Sequence, residues 1–293
     1  MSDIDPAPLE PPLEELLRPP FGEEAAQRFF TCLPDFRTLA PFFDFVVLRV
    51  VARDHRSVFW GDRMLTLDKH AGFMRDPAFA GAWEQVRGAH PYDQYDTEQS
   101  IAWRLHTLVW AACQAMTLAT GDFVECGVFQ GDMSFVVFHA AGLAGCGRRM
   151  LLFDSFDGLG PALVVEGEYA SMPGYIEMAN SYYQRPGLYE SVLARFAPYP
   201  EVSVHRGYLP GALSSETPEA IAWLHIDLNS TNAEISTLEV LFERVVPGGL
   251  IILDDYGWAG NAMQKSAEDA FFAKLGYRVL ELPTGQGLVV KRP

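Results

Sequence analysis

The spacing of apolar residues changes near residue 118. Before it, apolar positions from Ile101 to Leu118 recur at the three- and four-residue spacing that is typical of a helix. After it, short apolar runs alternate with helical stretches, as expected for a parallel sheet covered on both faces. We therefore predict an α/β fold in which a helical N-terminal extension precedes a Rossmann-like sheet.

Seven apolar runs have the length and composition of strands. Thr231 and Glu234 match a capping box, which predicts a helix start between the fourth and fifth runs. The last two runs are close enough to form a hairpin-like pair. The predicted strands are Phe123–Cys126, Met150–Phe153, Val202–His205, Trp223–Ile226, Leu250–Leu253, Tyr277–Leu280 and Gly287–Lys291.

The same pattern divides the chain into three parts. Residues 1–20 are rich in proline and glutamate and predict a flexible arm. Residues 21–118 show few strand signals and predict a helical extension, serving as a lid or as the contact of a homodimer. Residues 119–293 contain all seven predicted strands and form the main domain.

Composition excludes several classes of partner. The net charge of −16 disfavours nucleic acid and anionic membranes, which both require a positive face. The most apolar stretch, Leu39 to Ala52, contains Asp44 and Arg49 and is too short to span a bilayer. With an acidic N-terminus that resembles no secretory signal, we expect a soluble cytoplasmic protein.

Acidic residues follow the predicted strands. Ligands of open α/β sheets bind beyond the carboxyl ends of the strands, and solvated carboxylates have no reason to collect there. A binding site is therefore the better interpretation. The acids are Glu125, Asp154, Asp227, Asp254 and Asp255.

The first strand runs into a turn that contains Gly127 and Gly131. A dinucleotide-binding turn has glycines where this chain has Phe129 and Asp132. A ring and a negative charge are poor neighbours for a diphosphate, whereas S-adenosylmethionine has no phosphate. Glu125, Gly127 and Gly131 are thus candidates for binding this cofactor, although a tight turn without a ligand would also explain the glycines.

Asp154 and Ser155 follow the second strand, where they are placed to accept hydrogen bonds from ribose hydroxyls. Asp227, Asp254 and Asp255 follow the fourth and fifth strands. Adjacent carboxylates repel one another unless a cation or donors offset their charge, and hard oxygen ligands of this kind suit Mg²⁺. The alternative is that Asp254 caps a turn and Asp255 is solvated.

Four segments together resemble the macrocin O-methyltransferase family. They are Asp-Phe-Val-Glu-Cys-Gly-Val (122–128), Phe-Asp-Ser-Phe-Asp-Gly-Leu (153–159), Leu-His-Ile-Asp-Leu (224–228) and Val-Pro-Gly-Gly-Leu-Ile-Ile-Leu-Asp-Asp-Tyr-Gly (246–257). The resemblance covers about residues 95 to 291. It implies a seven-stranded class I methyltransferase fold and S-adenosylmethionine as the methyl donor.

The resemblance also implies site residues. Asp227, Asp254 and Asp255 would hold Mg²⁺, Asp227 would be the general base and a cofactor contact, and Tyr208 would line the adenine pocket. Many relatives have a second acid two residues after the first aspartate, followed by an aromatic residue. This chain has Asn229 and Ser230 at those two positions. Separately, His225 is expected to be a buried, hydrogen-bonded histidine.

Four functions follow from these observations. The leading hypothesis is a Mg²⁺-dependent O-methyltransferase acting on a hydroxyl of a small molecule, such as a sugar of a glycosylated natural product. A metal-independent methyltransferase with another acceptor is the second, and a non-catalytic methyltransferase-like binding partner is the third. A nicotinamide oxidoreductase is disfavoured by Phe129 and Asp132.

Overall fold

The computed structural model describes residues 57–62, 64–87, 101–160, 163–170, 173–214 and 216–293. The predicted arm over residues 1–20 and the apolar stretch from Leu39 to Ala52 lie outside these ranges. Within the ranges, no helix has the length and apolar character needed to cross a membrane. The division of the chain into an arm, an extension and a main domain stays a prediction.

The described elements include nine strands and seven α-helices. The strands are β1 Val58–Gly61, β2 Met64–Leu67, β3 Asp122–Cys126, β4 Met150–Asp154, β5 Val202–Arg206, β6 Ile221–Ile226, β7 Val245–Leu253, β8 Leu280–Glu281 and β9 Gly287–Val290. The helices are α1 Pro77–Val86, α2 Ala102–Met116, α3 Asp132–Ala140, α4 Tyr175–Tyr183, α5 Leu188–Phe196, α6 Thr231–Leu241 and α7 Ala262–Lys274.

Strands β3 to β9 form one seven-stranded sheet in the order β5-β4-β3-β6-β7-β9-β8. The five strands from β5 to β7 are parallel, and β9 and β8 are antiparallel to their neighbours. The predicted α/β fold with a terminal hairpin is confirmed. The direction of winding reverses between β3 and β6, and such switch points are where open sheets bind ligands.

Both faces of the sheet are covered. Strand β6 is buried along its whole length, as expected for a central strand between two layers of helices. On one face, Trp223 packs under α2 and its indole N–H donates to the main-chain oxygen of Leu108 at 3.2 Å. On the other face, Leu238 of α6 and Phe272 of α7 belong to the second core.

The described part of the N-terminal extension is not wholly helical, so the helical prediction is wrong over residues 58–67. Strands β1 and β2 pair as an antiparallel hairpin, whose turn includes Asp62 with a φ of +51°. The cause of this hairpin is local. The β-forming residues at positions 58–60 lead into Gly61 and Asp62, which is a strand-and-turn pattern. The helices that follow it in the chain, α1 and α2, obscured it. Helix α2 agrees with the predicted helix from Ile101 to Leu118.

Strand β8 is shorter than the predicted strand from Tyr277 to Leu280. Helix α7 ends through Gly276, which has a φ of +75°, and the N–H of Tyr277 donates to the main-chain oxygen of Phe272 at 2.8 Å. Tyr277 thus closes the helix and does not begin a strand.

Helix α6 begins at Thr231, close to the predicted start, but no capping box forms. Glu234 accepts the N–H of Leu228 at 3.1 Å and does not turn back to the first helical residue. The distant Glu168 caps the helix by accepting both the N–H and the hydroxyl of Thr231. The hydroxyl of Ser230, at the N-cap, instead donates to Leu163 at 2.6 Å. A side chain and a main-chain oxygen of a remote loop therefore satisfy groups that a local motif was expected to satisfy.

Glu168→Ala should lower the free energy of unfolding by about 2 kcal/mol, because the donors of Thr231 lose their acceptor in a buried place. Glu168 also accepts the N–H of Val165 at 2.8 Å. Urea unfolding measures the loss, with the exposed neighbour Glu166→Ala as the control. Equal losses in the two variants would contradict the cap.

Candidate active site

A cleft opens at the carboxyl ends of β3, β4 and β6. Five predicted site residues line it, and four do not. Those in the cleft are Gly127, Asp154, Ser155, Tyr208 and Asp227; those outside its lining are Glu125, Gly131, Asp254 and Asp255. The other lining residues are Phe129, Gly158, Leu159, Gly160, Leu163, Tyr183, Leu188, Gly207, Leu209, Leu228, Asn229, Ser230 and Ala233.

The two glycines of the β3–α3 turn are required by the protein itself. Gly127 has a φ of +92°, and a Cβ there would overlap the main-chain oxygen of Asp227. Gly131 has a φ of +76°, and its Cβ would lie 2.8 Å from the ring of Phe196. Gly131 therefore shapes the turn away from the cleft, whereas Gly127 brings the ends of β3 and β6 together. Close approach of a ligand is not needed to explain either glycine.

Phe129 takes the left-handed conformation that a glycine would normally supply. Its φ is +48°, a strained value for a residue with a Cβ. The ring lines the cleft, lies edge-on to Tyr183 at 5.3 Å between centroids, and has the guanidinium of Arg185 5.2 Å from its centre. Phe129, the residue predicted to disfavour a dinucleotide at this turn, thus forms an aromatic part of the cleft lining.

The carboxylate of Asp154 organises the loops around it. One oxygen accepts the N–H groups of Val128 at 2.7 Å and Phe129 at 2.8 Å, and the other accepts the N–H of Phe156 at 2.6 Å. A carboxylate has about four acceptor sites, so one remains for a donor in the cleft. The predicted ribose contact is compatible with this arrangement and stays a prediction.

Ser155 and Tyr208 also face the cleft. The hydroxyl of Ser155 donates to the main-chain oxygen of Gly158 at 2.9 Å, which holds the loop after β4. The hydroxyl of Tyr208 lies 3.3 Å from a carboxylate oxygen of Asp157, and the side chain is 40% exposed. Tyr208 therefore presents a ring at the open edge of the cleft.

Glu125 lies beneath the cleft. It stands opposite His225 in the β3–β6 register, is 1% exposed, and lies 2.8 Å from Nδ1 of His225. The side chain therefore faces the interior of the protein, and the structure does not place it among the cofactor-binding candidates of the cleft. The signal was available: Glu125 and His225 each stand two residues before a residue that lines the cleft, Gly127 and Asp227 respectively.

His225 is buried and hydrogen-bonded, as predicted. Its second nitrogen lies 3.3 Å from Oδ1 of Asp254. Burial by itself lowers the pKa of His225, but hydrogen bonds to Asp254 and Glu125 outweigh this effect and raise the pKa to about 10. The two hydrogen bonds therefore favour the imidazolium form of His225, which lies between two carboxyl groups.

Arg104 extends this buried chain to the N-terminal elements. Its guanidinium donates to Oδ2 of Asp254 at 2.6 Å and makes three contacts of 3.0–3.2 Å with Asp62 of the β1–β2 turn. It also lies 5.3 Å from the ring of Trp258. Sequence reasoning missed Arg104 because its partner stands 150 positions away. The available clue was that Arg104 is a charged residue among the buried apolar positions of α2.

The three aspartates predicted to bind a metal have different surroundings. Burial and the nearby Asp254 and Asp255 raise the pKa of Asp227 well above its usual range. Burial and the charge of Asp254 raise the pKa of Asp255 to about 7. Burial alone would raise the pKa of Asp254 too, but Arg104 and His225 hold it below its usual range.

Both oxygens of Asp254 are engaged within the protein. Oδ2 accepts from Arg104, and Oδ1 accepts from the side-chain amide of Gln286 at 2.9 Å and lies close to His225. Over the described ranges, no three histidine, cysteine or carboxylate side chains come together in a way that could hold a metal ion. The side chains as arranged do not fit the three-aspartate magnesium site that the resemblance implied.

Comparison with known proteins identifies the family. The model of the family described as macrocin-O-methyltransferase (TylF) matches residues 103–274, more than half of the chain. The chain belongs to the macrocin O-methyltransferase family. The match begins within α2 and ends with α7, so it includes every acid of the cleft and of the buried chain except Asp62.

One curated relative and two solved structures are similar to this member of the family. The relative is the 8-demethyl-8-(2,3-dimethoxy-alpha-L-rhamnosyl)-tetracenomycin-C 4'-O-methyltransferase of Streptomyces olivaceus, 31% identical over 143 residues, which are 46% of this chain and 53% of the relative. The chain thus spans about half the length of the curated relative that it matches.

The solved structures support the fold. The O-methyltransferase NovP has a TM-score of 0.55 at 21% identity, covering 88% of this chain and 100% of NovP. The calicheamicin methyltransferase CalS11 has a TM-score of 0.52 at 14% identity, covering 76% of this chain and 94% of CalS11. The class I methyltransferase fold predicted from the sequence is confirmed by these likenesses.

Arg104→Leu should lower the free energy of unfolding by about 3–5 kcal/mol, because it leaves the buried carboxylate of Asp254 without its cation. Arg149→Leu is the matched control. Its guanidinium binds Asp122 and Glu216 at the surface and is 48% exposed, so its loss should cost below about 1 kcal/mol. Denaturant unfolding followed by tryptophan fluorescence compares the two, and equal losses would show that the buried chain is not a special constraint.

Proposed function

We propose that this chain transfers a methyl group from S-adenosylmethionine to a hydroxyl of a small, sugar-bearing molecule. The observation that carries the proposal is that Asp154 and Asp227 line one cleft at the switch point of the sheet. The first is suited to a nucleoside and the second to a reacting hydroxyl. Family membership supports the reaction class.

The part of the cleft around Asp154 suits the nucleoside of the cofactor. Asp154 offers its remaining acceptor site to a ribose hydroxyl, and Ser155 stands next to it. Phe129 and Tyr208 supply aromatic surfaces on the lining of the same cleft, which suit a flat base. Among the described residues, those that line the cleft include no lysine or arginine.

The part around Asp227 suits the reacting hydroxyl. Asp227 is half-buried and its raised pKa makes it a stronger base than an ordinary aspartate. In the proposed step, the acceptor oxygen bonds to the methyl carbon while the carbon–sulfur bond breaks. The hydroxyl proton passes to Asp227, and the bonding pair stays on sulfur to give S-adenosylhomocysteine. The chain contributes mainly the alignment of these atoms.

The acceptor class is inferred from the relative. Its name describes a rhamnosylated tetracenomycin that is methylated at a sugar position. We carry this chemistry over as a hydroxyl of a sugar attached to a natural product. An acidic protein with a net charge of −16 also suits a neutral acceptor better than an anionic one. Cytoplasmic location and a homodimer formed through the N-terminal extension remain predictions.

Magnesium is supported by the family resemblance alone. Its predicted ligands are Asp227, Asp254 and Asp255, and carboxylate oxygens are of the right chemical kind. The guanidinium of Arg104, however, contacts Asp254 and lies 4.0 Å from Asp255. A metal at this position would compete with Arg104 for the same carboxylates. No step of the proposed reaction depends on it.

Calorimetry and a transfer assay test the function. We expect S-adenosylmethionine and S-adenosylhomocysteine to bind, NAD not to bind, and labelled methyl to pass to p-nitrophenyl α-L-rhamnoside but not to p-nitrophenol.

Asp227→Asn should lower kcat by a factor of about 10²–10⁴ and leave the affinity for S-adenosylhomocysteine within about threefold. Asp154→Asn should weaken that affinity. Binding of NAD alone would overturn the proposal, and transfer to the phenol would overturn the acceptor class.

Added Mg²⁺ should raise the thermal stability of Arg104→Leu more than that of the wild type, because the metal replaces the lost positive charge. Thermal unfolding with Mg²⁺ or with a chelator measures this difference, and Arg149→Leu serves as the control. Equal shifts in all three proteins would contradict competition at the carboxylates. Turnover that is unchanged in the chelator would remove magnesium from the proposal and leave methyl transfer intact.

A further inference from the structure

Asn229 lies between Asp227 and the long connection after β4. Its side-chain nitrogen donates to Oδ1 of Asp227 at 2.9 Å, and its side-chain oxygen accepts the hydroxyl of Tyr175 at 3.1 Å. The residue is 9% exposed and has a φ of +51°. A strained, buried residue that contacts the proposed base is held there by the surrounding structure.

The chemistry of the partners fixes the direction of the amide. The side-chain nitrogen of Asn229 donates to Oδ1 of Asp227, so the NH₂ group faces the carboxyl group. The amide oxygen then faces Tyr175, whose hydroxyl is able to donate. Tyr175, Asn229 and Asp227 thus form a directed chain of hydrogen bonds that ends on the carboxylate.

These hydrogen bonds leave the two oxygens of Asp227 in different surroundings. Oδ1 accepts a hydrogen bond from the side-chain amide of Asn229, while no residue in the described ranges donates a hydrogen bond to Oδ2. A carboxylate held through one oxygen cannot rotate freely about its side-chain bonds. Asp227 lines the cleft, and Oδ2 is the oxygen that is left to receive a proton.

We propose that Asn229, oriented by Tyr175, is a positioning residue that holds the Asp227 carboxylate for proton transfer through Oδ2. The inference rests on the proposed role of Asp227 as the base. An ionised acid at this position would repel an ionised Asp227. The amide supplies a donor without a charge.

A second tyrosine of the connection after β4 also contacts Asn229. Tyr169 stacks on Tyr175 with 4.3 Å between ring centroids, and its hydroxyl donates to the main-chain oxygen of Asn229. Two tyrosines thus contact one residue, but only Tyr175 reaches the amide that touches Asp227. This difference provides a matched pair of variants.

Tyr175→Phe removes the hydroxyl that orients the amide, and Tyr169→Phe removes one that contacts only the backbone. With p-nitrophenyl α-L-rhamnoside as the acceptor, we expect Tyr175→Phe to lower kcat about tenfold and to leave KM for S-adenosylmethionine within twofold. Tyr169→Phe should lower kcat much less than Tyr175→Phe does, by below about threefold. Asn229→Ala should lower kcat at least as much as Tyr175→Phe, and the double variant should be no slower than Asn229→Ala alone.

A second measurement does not require turnover. In the wild-type protein with S-adenosylhomocysteine, the side-chain NH₂ protons of Asn229, assigned by comparison with Asn229→Ala, should show a downfield-shifted NMR resonance. That resonance should move in Tyr175→Phe and stay within its linewidth in Tyr169→Phe. Equal effects of the two tyrosine variants, or additive losses in the double variant, would overturn the positioning role. A wild type that binds the cofactor, shows this resonance and transfers no methyl group would contradict the proposed function while supporting the geometry.

Discussion

The buried chain of Glu125, His225, Asp254 and Arg104 fixes the carboxyl ends of β3, β6 and β7 relative to helix α2. Each group has a partner of opposite charge within 3.3 Å, and Asp62 of the β1–β2 turn completes it. Buried ion pairs add little stability compared with a well-packed apolar core, but breaking one leaves an unpaired charge inside. The chain therefore acts mainly by specifying one arrangement of the strand ends.

This arrangement separates two kinds of acid. Glu125 and Asp254 are buried and bound within the protein, whereas Asp154 and Asp227 reach the cleft. Their roles follow from where each side chain stands at its strand end. Asp154 holds the loops around the proposed nucleoside part of the cleft, and Asp227 has one oxygen that accepts from Asn229 and one that we propose receives the proton. The cofactor and the acceptor hydroxyl would then meet at the switch point between β3 and β6.

Features with a local cause could be predicted from the sequence. Apolar runs predict the strands because central strands must be apolar on both faces, and the acids at strand ends predict the edge that carries the cleft. Features that depend on distant partners could not be predicted. Arg104 reaches Asp254, Glu168 caps α6, and Glu125 faces His225, all across more than 60 positions of the chain. A residue type at a strand end indicates that edge, but not whether the side chain faces the cleft or the core.

The two glycines of the β3–α3 turn show the same limit of prediction from sequence. Gly127 and Gly131 match a ligand-binding turn, yet the contacts that require glycine there come from Asp227 and Phe196. The magnesium prediction likewise rested on residue types that are present, while the orientation of Asp254 toward Arg104 depends on a helix that precedes the sheet. Composition identifies suitable ligands, and only packing decides which of their atoms are available.

A crystal structure with S-adenosylhomocysteine tests the central claim most directly. We predict that the ribose hydroxyls lie within hydrogen-bond distance of Asp154, that the adenine contacts Phe129 or Tyr208, and that the sulfur faces Asp227. A ligand bound outside this cleft, or one whose sulfur lies far from Asp227, would contradict the assignment of the cleft as the site of methyl transfer.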